Sequence, residues 1–412
     1  MATVIPFKAV KPTPEKVAMV ACNSYQSYSK IERQDILNSN PFSFLHIINP
    51  SYNNLNSLKR KQRYSLVKKR YLSFKKKSIF TQDQAPSYYI YKIEKTEDLS
   101  FSGIIAATST EDYKNNVIKK HEDTIEYREN MFKDYLKTVR FNAEPVLLTY
   151  PNNKEIENII CNAQKSTPEF RFTTQNKNIH SLWRINNTTT INNIKREFNT
   201  IKALYIADGH HRSASSFLLA QNLKKENEKH TGNEAYNYFM SFLIPESNLK
   251  IYEYNKLIKD LNGLSKSSFL SKLAVHFKID NKGSQPYGPS KKHHFSMYLD
   301  GEYYALHLRK SHYNVNNALD ALDTQILYKT VLNPILGISD LRNDTRIGHF
   351  HEKDHLSIIK HKIDHGEFAV GFGVVSITIN ELKTIANQGL TMPPKSTFIQ
   401  PKLLSGVCIY EL

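Results

Sequence analysis

The sequence predicts a mixed fold, between α/β and α+β, and three observations carry that expectation. Short apolar runs of strand length alternate with segments of helical period. The clearest pair is Ala203 to Ala207, a continuous apolar run, followed by a helix-forming stretch from Ser213 to Leu223. The third is size: 412 residues, 40% hydrophobic and 23% charged, suffice for a large core and more than one structural unit.

In chain order, the segment to Pro50 is rich in turns, with Lys11-Pro12-Thr13-Pro14 and Asn40-Pro41, and Phe42 to Ile48 reads as a strand. Residues 57–77 hold the densest basic run. Tyr64, Val67, Tyr71 and Phe74 recur three or four apart, so they form one apolar stripe on a helix, with lysines and arginines on its other face. Tyr88 to Glu94 and Gly103 to Thr108 read as a hairpin about the polar hinge Glu97 to Ser100. Glu111 to Thr138 reads as one very polar helix. Pro145 to Tyr150 is a short strand, and a turn at Asn186 to Thr190 leads into a helix over Ile191 to Asn199. After the strand–helix pair come a charged loop, Lys224 to Glu234, and a buried strand, Tyr238 to Pro245. The tail carries further elements at Phe295–Leu299, Tyr303–Leu308, Ala318–Val331 and Glu367–Ile379. The expected division is a main α/β unit over residues 1–260 and a C-terminal α+β unit over 261–412. The boundary is soft, and one continuous domain is the alternative.

The formal net charge is +17. It fits either a polyanionic partner such as nucleic acid or compositional drift in a chain rich in Lys, Asn and Ile. No run approaches the roughly 18 apolar residues of a membrane span. The opening MATVIPFKAVKPTPEK has no apolar signal core, and Cys22, Cys161 and Cys408 lie far apart, so a cytoplasmic protein is expected.

The chemistry concentrates in Asp208-Gly209-His210-His211-Arg212. A buried strand delivers this loop to a sheet edge, Gly209 permits unusual backbone angles, and the next helix points its first N–H groups back at the loop. An anion is favoured there. His210, His211 and Arg212 add donors, and Arg212 can grip phosphate bidentately. Asp208 can hold a divalent metal or accept a proton from an attacking hydroxyl. Capping of the helix by Asp208, with two surface histidines, is the bland alternative. Two other segments fit phosphate chemistry. His121-Glu122, in a polar helix, offers Glu122 as base or metal ligand, or an ordinary exposed helical pair. Lys395-Ser396-Thr397, behind Pro393-Pro394, either closes over an anion or simply starts a strand. No G-x-x-x-x-G-K-[ST] or G-x-G-x-x-G occurs, which disfavours a P-loop and gives no expectation of nicotinamide or flavin.

The phrase Tyr205-Ile206-Ala207-Asp208-Gly209-His210-His211-Arg212 resembles the signature of the domain-of-unknown-function 1015 family. Ile5-Pro6-Phe7-Lys8-Ala9, Lys120-His121-Glu122-Asp123-Thr124 and Met392-Pro393-Pro394-Lys395-Ser396-Thr397-Phe398 support it in family order. Asn255-Lys256 departs from it, standing where a His-Arg pair is expected. The loop also resembles the equivalent motif of the ParB/sulfiredoxin-like superfamily, which includes free-serine kinases and nucleic-acid-binding partition proteins. The resemblance implies a small-molecule kinase, with free L-serine as acceptor, pyrophosphate ahead of ADP or ATP as donor, and Mg²⁺. It implies Asp208, Glu122 and His211 as catalytic, with Asp208 and Glu122 also holding metal. Gly209, His210, Arg212, Lys395, Ser396 and Thr397 would bind phosphate, and His121 and Thr124 the substrate. The other classes carried are a ParB-like nucleic-acid binder, on the charge and residues 59–77, and a phosphatase using the same site with water.

His351-Glu352-Lys353-Asp354-His355 matches the zincin pattern H-E-x-x-H, which needs both histidines on one helix face. Asp354 is a good N-cap, so a helix starting there leaves His351 outside it, and no catalytic zinc is expected.

Overall fold

The computed structural model describes residues 1–49, 58–351 and 355–412. They form two compact units: Met1–Lys120, Thr124–Leu249 and Pro401–Leu412 make the first, His121–Asp123 and Lys250–Gln400 the second.

The first unit is built on a nine-stranded mixed sheet. From one edge the order is Ile118–Lys119, Leu204–Asp208, Val146–Tyr150, Tyr238–Pro245, Leu99–Ser109, Tyr88–Thr96, Ile179–Ile185 and Phe170–Thr173, and Val4–Ile5 also pairs with Leu99–Ser109. The predicted hairpin is present as Tyr88–Thr96 and Leu99–Ser109, antiparallel. Its neighbour Tyr238–Pro245 joins Leu99–Ser109 antiparallel and Val146–Tyr150 parallel, so the apolar strands occupy the centre. Helices Lys154–Ala163 and Thr188–Thr200 bury Ile156, Ile160, Ile194 and Phe198 against Leu148, Leu204 and Ile206. Gly103 has a packing reason: a Cβ there would lie 2.3 Å from the Leu243 carbonyl oxygen.

The basic helix spans Arg60–Lys76 and buries Val67, Tyr71 and Phe74, with Tyr64 half-buried, as the stripe predicted. Lys68, Lys69 and Arg70 are exposed on its far face. Replacing all three by neutral residues is expected to leave turnover of a small substrate within about twofold, since solvated surface charges contribute little. A large drop in measured turnover would point to a polyanion contact instead.

Three sequence expectations are corrected. Phe42 to Ile48 is a turn and a short helix, Leu45–Ile48. The consecutive Phe44 and Leu45 are both buried in the cluster that holds Val67, Tyr71 and Phe74, which strand alternation cannot satisfy. Glu111 to Thr138 is not one helix. Thr110–Lys114 ends before Asn116, whose φ is +57°, Ile118–Lys119 leaves to pair with Leu204–Tyr205, and helix resumes only over Glu126–Val139. His121 and Glu122 therefore lie in an irregular connection, not on a helix. The helix expected over Ser213 to Leu223 runs from His210 to Glu226, taking in the start of the expected charged loop.

The second unit carries a six-stranded antiparallel sheet in the order Phe277–Gly283, Glu302–Leu308, His294–Leu299, Val370–Gly373, Asn255–Ile258 and Ile347–Phe350. Helix Lys266–His276 and the consecutive short helices Asp323–Leu327 and Tyr328–Leu332, the second a π-helix, pack Phe269, Leu273, Ile326 and Val331 into one core. Ile359 and Ile363 of helix His355–Asp364 meet Leu257, Tyr298 and Tyr303 in another. His351 precedes that helix, so the two histidines of the zincin pattern do not share a helix face; Glu352 to Asp354 lie outside the described residues. The His351 ring instead stacks on Phe398, centroids 3.5 Å apart.

Candidate functional site

Leu204–Asp208 is buried over its first four residues and half-buried at Asp208. Its register against Val146–Tyr150 shifts between Ile206 and Asp208, a bulge that turns Asp208 out of the regular alternation. Gly209 follows with φ +102° and is the N-cap of His210–Glu226, without a side-chain cap. His210, His211 and Arg212 are thus the first turn of a helix, where backbone N–H groups have no acceptor within the helix itself. His210 is buried and His211 half-buried. Behind them Ser213, Ala214, Ser215 and Ser216 are all buried, small enough to seat the helix closely.

Arg212 curls back over Gly209: a Cβ at Gly209 would stand 2.9 Å from Arg212 Nε. Gly209→Ala is expected to cost about 1–2 kcal/mol for the left-handed backbone alone. It should also displace the guanidinium. Thermal unfolding together with an activity assay would report both. Curled this way, Arg212 Nη2 donates to Asp208 Oδ2 at 2.5 Å. Nη1 reaches Glu144 Oε1 at 2.7 Å and donates to the Pro145 carbonyl at 2.8 Å. The other Asp208 oxygen, Oδ1, accepts from Lys402 Nζ. The arrangement is a carboxylate held between a guanidinium and an ammonium at the start of a helix, with Glu144 on the far side of the guanidinium.

Sequence reasoning missed Glu144 and Lys402. Glu144 stands two residues before the strand that pairs with Leu204–Asp208, a signal that was available; Lys402, in the tail after Pro401, gave none. A divalent metal does not fit Asp208 as it stands, since each oxygen already meets a cation. Among the described residues no cluster of three or more His, Cys, Asp or Glu is placed to hold a metal.

The second unit gathers two other predicted segments. The Met392 amide donates to the His121 carbonyl at 2.9 Å, and Thr391 Oγ1 to Asp123 Oδ2 at 3.0 Å. His121 is buried and Glu122 half-buried. Thr124 belongs to the first unit and donates its hydroxyl to Glu129 near the start of helix Glu126–Val139. After Pro393-Pro394, Lys395 adopts φ +56° and is exposed; Ser396 is buried, its hydroxyl donating to the Pro393 carbonyl at 2.6 Å, and Thr397 is half-buried. A cleft of about 410 Å³ runs along this segment, lined by Gln325, Arg342, Asn343, Thr391, Met392 and Pro393 among others.

A family model described as a protein of unknown function (DUF1015) matches residues 4–325, most of the chain and with it the Asp208 loop. The chain belongs to that family. No curated protein matches this DUF1015 chain. Solved structures similar to it include SbnI with a C-terminal truncation from Staphylococcus aureus, at 11% identity and a TM-score of 0.39 over 74% of this chain and 85% of that one. A free serine kinase in complex with AMP is similar at 12% identity and 0.34, over 71% and 88%. A conserved hypothetical protein from Pyrococcus furiosus is similar at 12% and 0.35, over 72% and 92%. Scores of this size carry no argument about chemistry. Among the described residues no helix is long and apolar enough to cross a membrane.

Proposed function

We propose that this DUF1015 protein is a small-molecule kinase that phosphorylates a hydroxyl, with free L-serine as acceptor and pyrophosphate as donor. The observation that carries the reading is the clamp on Asp208: a carboxylate whose two partners, Arg212 and Lys402, are both phosphate ligands, beside a helix N-terminus opened by Gly209. Catalysis of phosphoryl transfer is mainly positioning and charge stabilisation, which such a group supplies.

In the proposed step the donor's phosphate oxygens draw Arg212 and Lys402 off Asp208, with the His210 and His211 side chains and the first-turn amides as further donors. Asp208, released from its cations, accepts the proton of the serine hydroxyl. The serine oxygen forms the new O–P bond while the bridging P–O bond of pyrophosphate breaks, and the electron pair leaves on orthophosphate. Lys395, Ser396 and Thr397 are proposed to bind phosphate, His121 and Thr124 the amino acid, and Glu122 to serve as a second carboxylate. No step is assigned to Mg²⁺, given the occupied oxygens of Asp208.

The test is incubation with serine and equal concentrations of pyrophosphate, ADP or ATP, with and without Mg²⁺, reading O-phosphoserine by mass spectrometry. Pyrophosphate is expected to give the fastest turnover. Far faster product from ADP or ATP reverses the donor ranking and keeps the kinase; product from none of them removes the kinase.

A further inference from the structure

Two lysines are buried among the described residues, and they are treated in opposite ways. Lys11 is neutralised: its ammonium lies 2.9 Å from Asp83 and 2.7 Å from Glu169. Lys256, only 3% exposed, reaches no carboxylate among the described residues. Its Nζ donates to the Lys395 carbonyl at 2.7 Å, meets His349 Nδ1 at 3.0 Å, and lies 5.7 Å from the Tyr254 ring centroid. Burying an ammonium without a counter-charge is strongly unfavourable. A second cation aggravates it, for Lys395 Nζ sits 5.6 Å from the centroid of the same ring. The turn behind Pro393-Pro394 holds Lys395 left-handed, so that its carbonyl is aimed at Lys256 while its ammonium covers the aromatic face.

We propose that Lys256 and Lys395, with His349 beside them, form a binding site for a phosphate group in the second unit. A protonated Lys256 has three N–H donors, and protein partners take two. A dianion bridging both ammonium groups neutralises the pair, whereas a monocarboxylate leaves one charge over, which is why phosphate is the ligand class.

The surroundings give the site a proton signature. Burial first, then the Lys395 charge, holds Lys256 down to about 7. Burial and Lys256 hold His349 down to about 3, so His349 is a neutral acceptor. The facing groups are His349 across one neighbouring strand, uncharged Phe372 across the other, Lys395 from the turn, and Tyr254 with His351 against its ring. Above neutral pH Lys256 is therefore largely an uncharged amine. An arriving anion favours the charged form, so binding takes up a proton.

The experiment is titration calorimetry on the full chain at about pH 8, in two buffers of different ionisation enthalpy, near but above the value for Lys256. Inorganic phosphate measures affinity. Sulfate, which does not titrate in this range, counts protons, and acetate tests the ligand class. The expected result is phosphate bound at least about tenfold tighter than acetate, and uptake of about one proton per sulfate bound. Lys256→Met and Lys395→Ala should each weaken phosphate at least about tenfold, while Lys256→Arg keeps the anion and loses the proton uptake. Unchanged phosphate binding in Lys256→Met, absence of proton uptake by the wild type, or equal affinity for acetate overturns the proposal. If Lys256→Met does not fold, exposed Lys395→Ala and charge-conserving Lys256→Arg carry the same decision. The site shares Lys395 with the kinase reading, but serine and turnover play no part in this measurement, so failure of one is distinguishable from failure of the other.

Discussion

Asp208→Asn is expected to lower the rate of O-phosphoserine formation by about 10²–10⁴-fold, the range over which a positioned general base contributes. The substitution keeps the shape and removes both the charge that holds Arg212 and Lys402 and the group proposed to take the serine proton. Because both cations lose the Asp208 charge, and Arg212 keeps only Glu144 as an ion-pair partner among the described residues, the variant should bind the phosphate donor at least as tightly as the wild type. A purely structural Asp208 would instead show a parallel loss of folding and donor binding. Measuring kcat and KM for the donor separately, with thermal unfolding as control, divides these outcomes. Glu122→Gln is expected to lose activity too. Full activity in that variant beside a dead Asp208→Asn would show that Glu122 has no essential chemical role.

Arg212→Ala is expected to have the largest combined effect on folding and activity. Its guanidinium bonds Asp208, Glu144 and the carbonyl of Pro145, and its removal leaves the two carboxylates without the cation between them. Losing hydrogen bonds to charged groups costs about 1.5–3 kcal/mol each in favourable cases, less here because all three side chains are about a third exposed. A melting temperature several degrees lower, together with loss of phosphoserine, is the expected result. Arg212→Lys should recover little of either, because a single ammonium cannot span the two carboxylates and the carbonyl at once. Wild-type stability in Arg212→Ala would show that the clamp is loose in solution.

Much of the scaffold was legible in the residues. Two strand-length apolar runs about a polar hinge set the hairpin from Tyr88 to Ser109, helical period placed Val67, Tyr71 and Phe74 inward, and the run before Asp208 stood out as a strand. The misreadings share a cause. At Phe44-Leu45 and at Val117-Ile118 the local pattern suited one element, but the surrounding core or an open sheet edge took those side chains for another. The helix start was placed three residues late because His210 and His211 looked like loop donors. Only the left-handed Gly209 shows that the chain has already turned into the helix there.

The sequence by itself determined the class of fold, the strand–glycine–helix signature with its family, and the cluster of phosphate-binding residue types at 208–212, because periodicity and motif are properties of neighbouring residues. Tertiary structure alone decided what those residues touch. Lys402 reaches Asp208 from 194 positions away, and Glu144 meets Arg212 only because two strands pair in one register. Lys256 became a buried amine bonded to the Lys395 carbonyl only when an edge strand and a proline-stiffened turn closed over it. Charge partners depend on distance through space, and no local pattern encodes that distance until the sheets have formed.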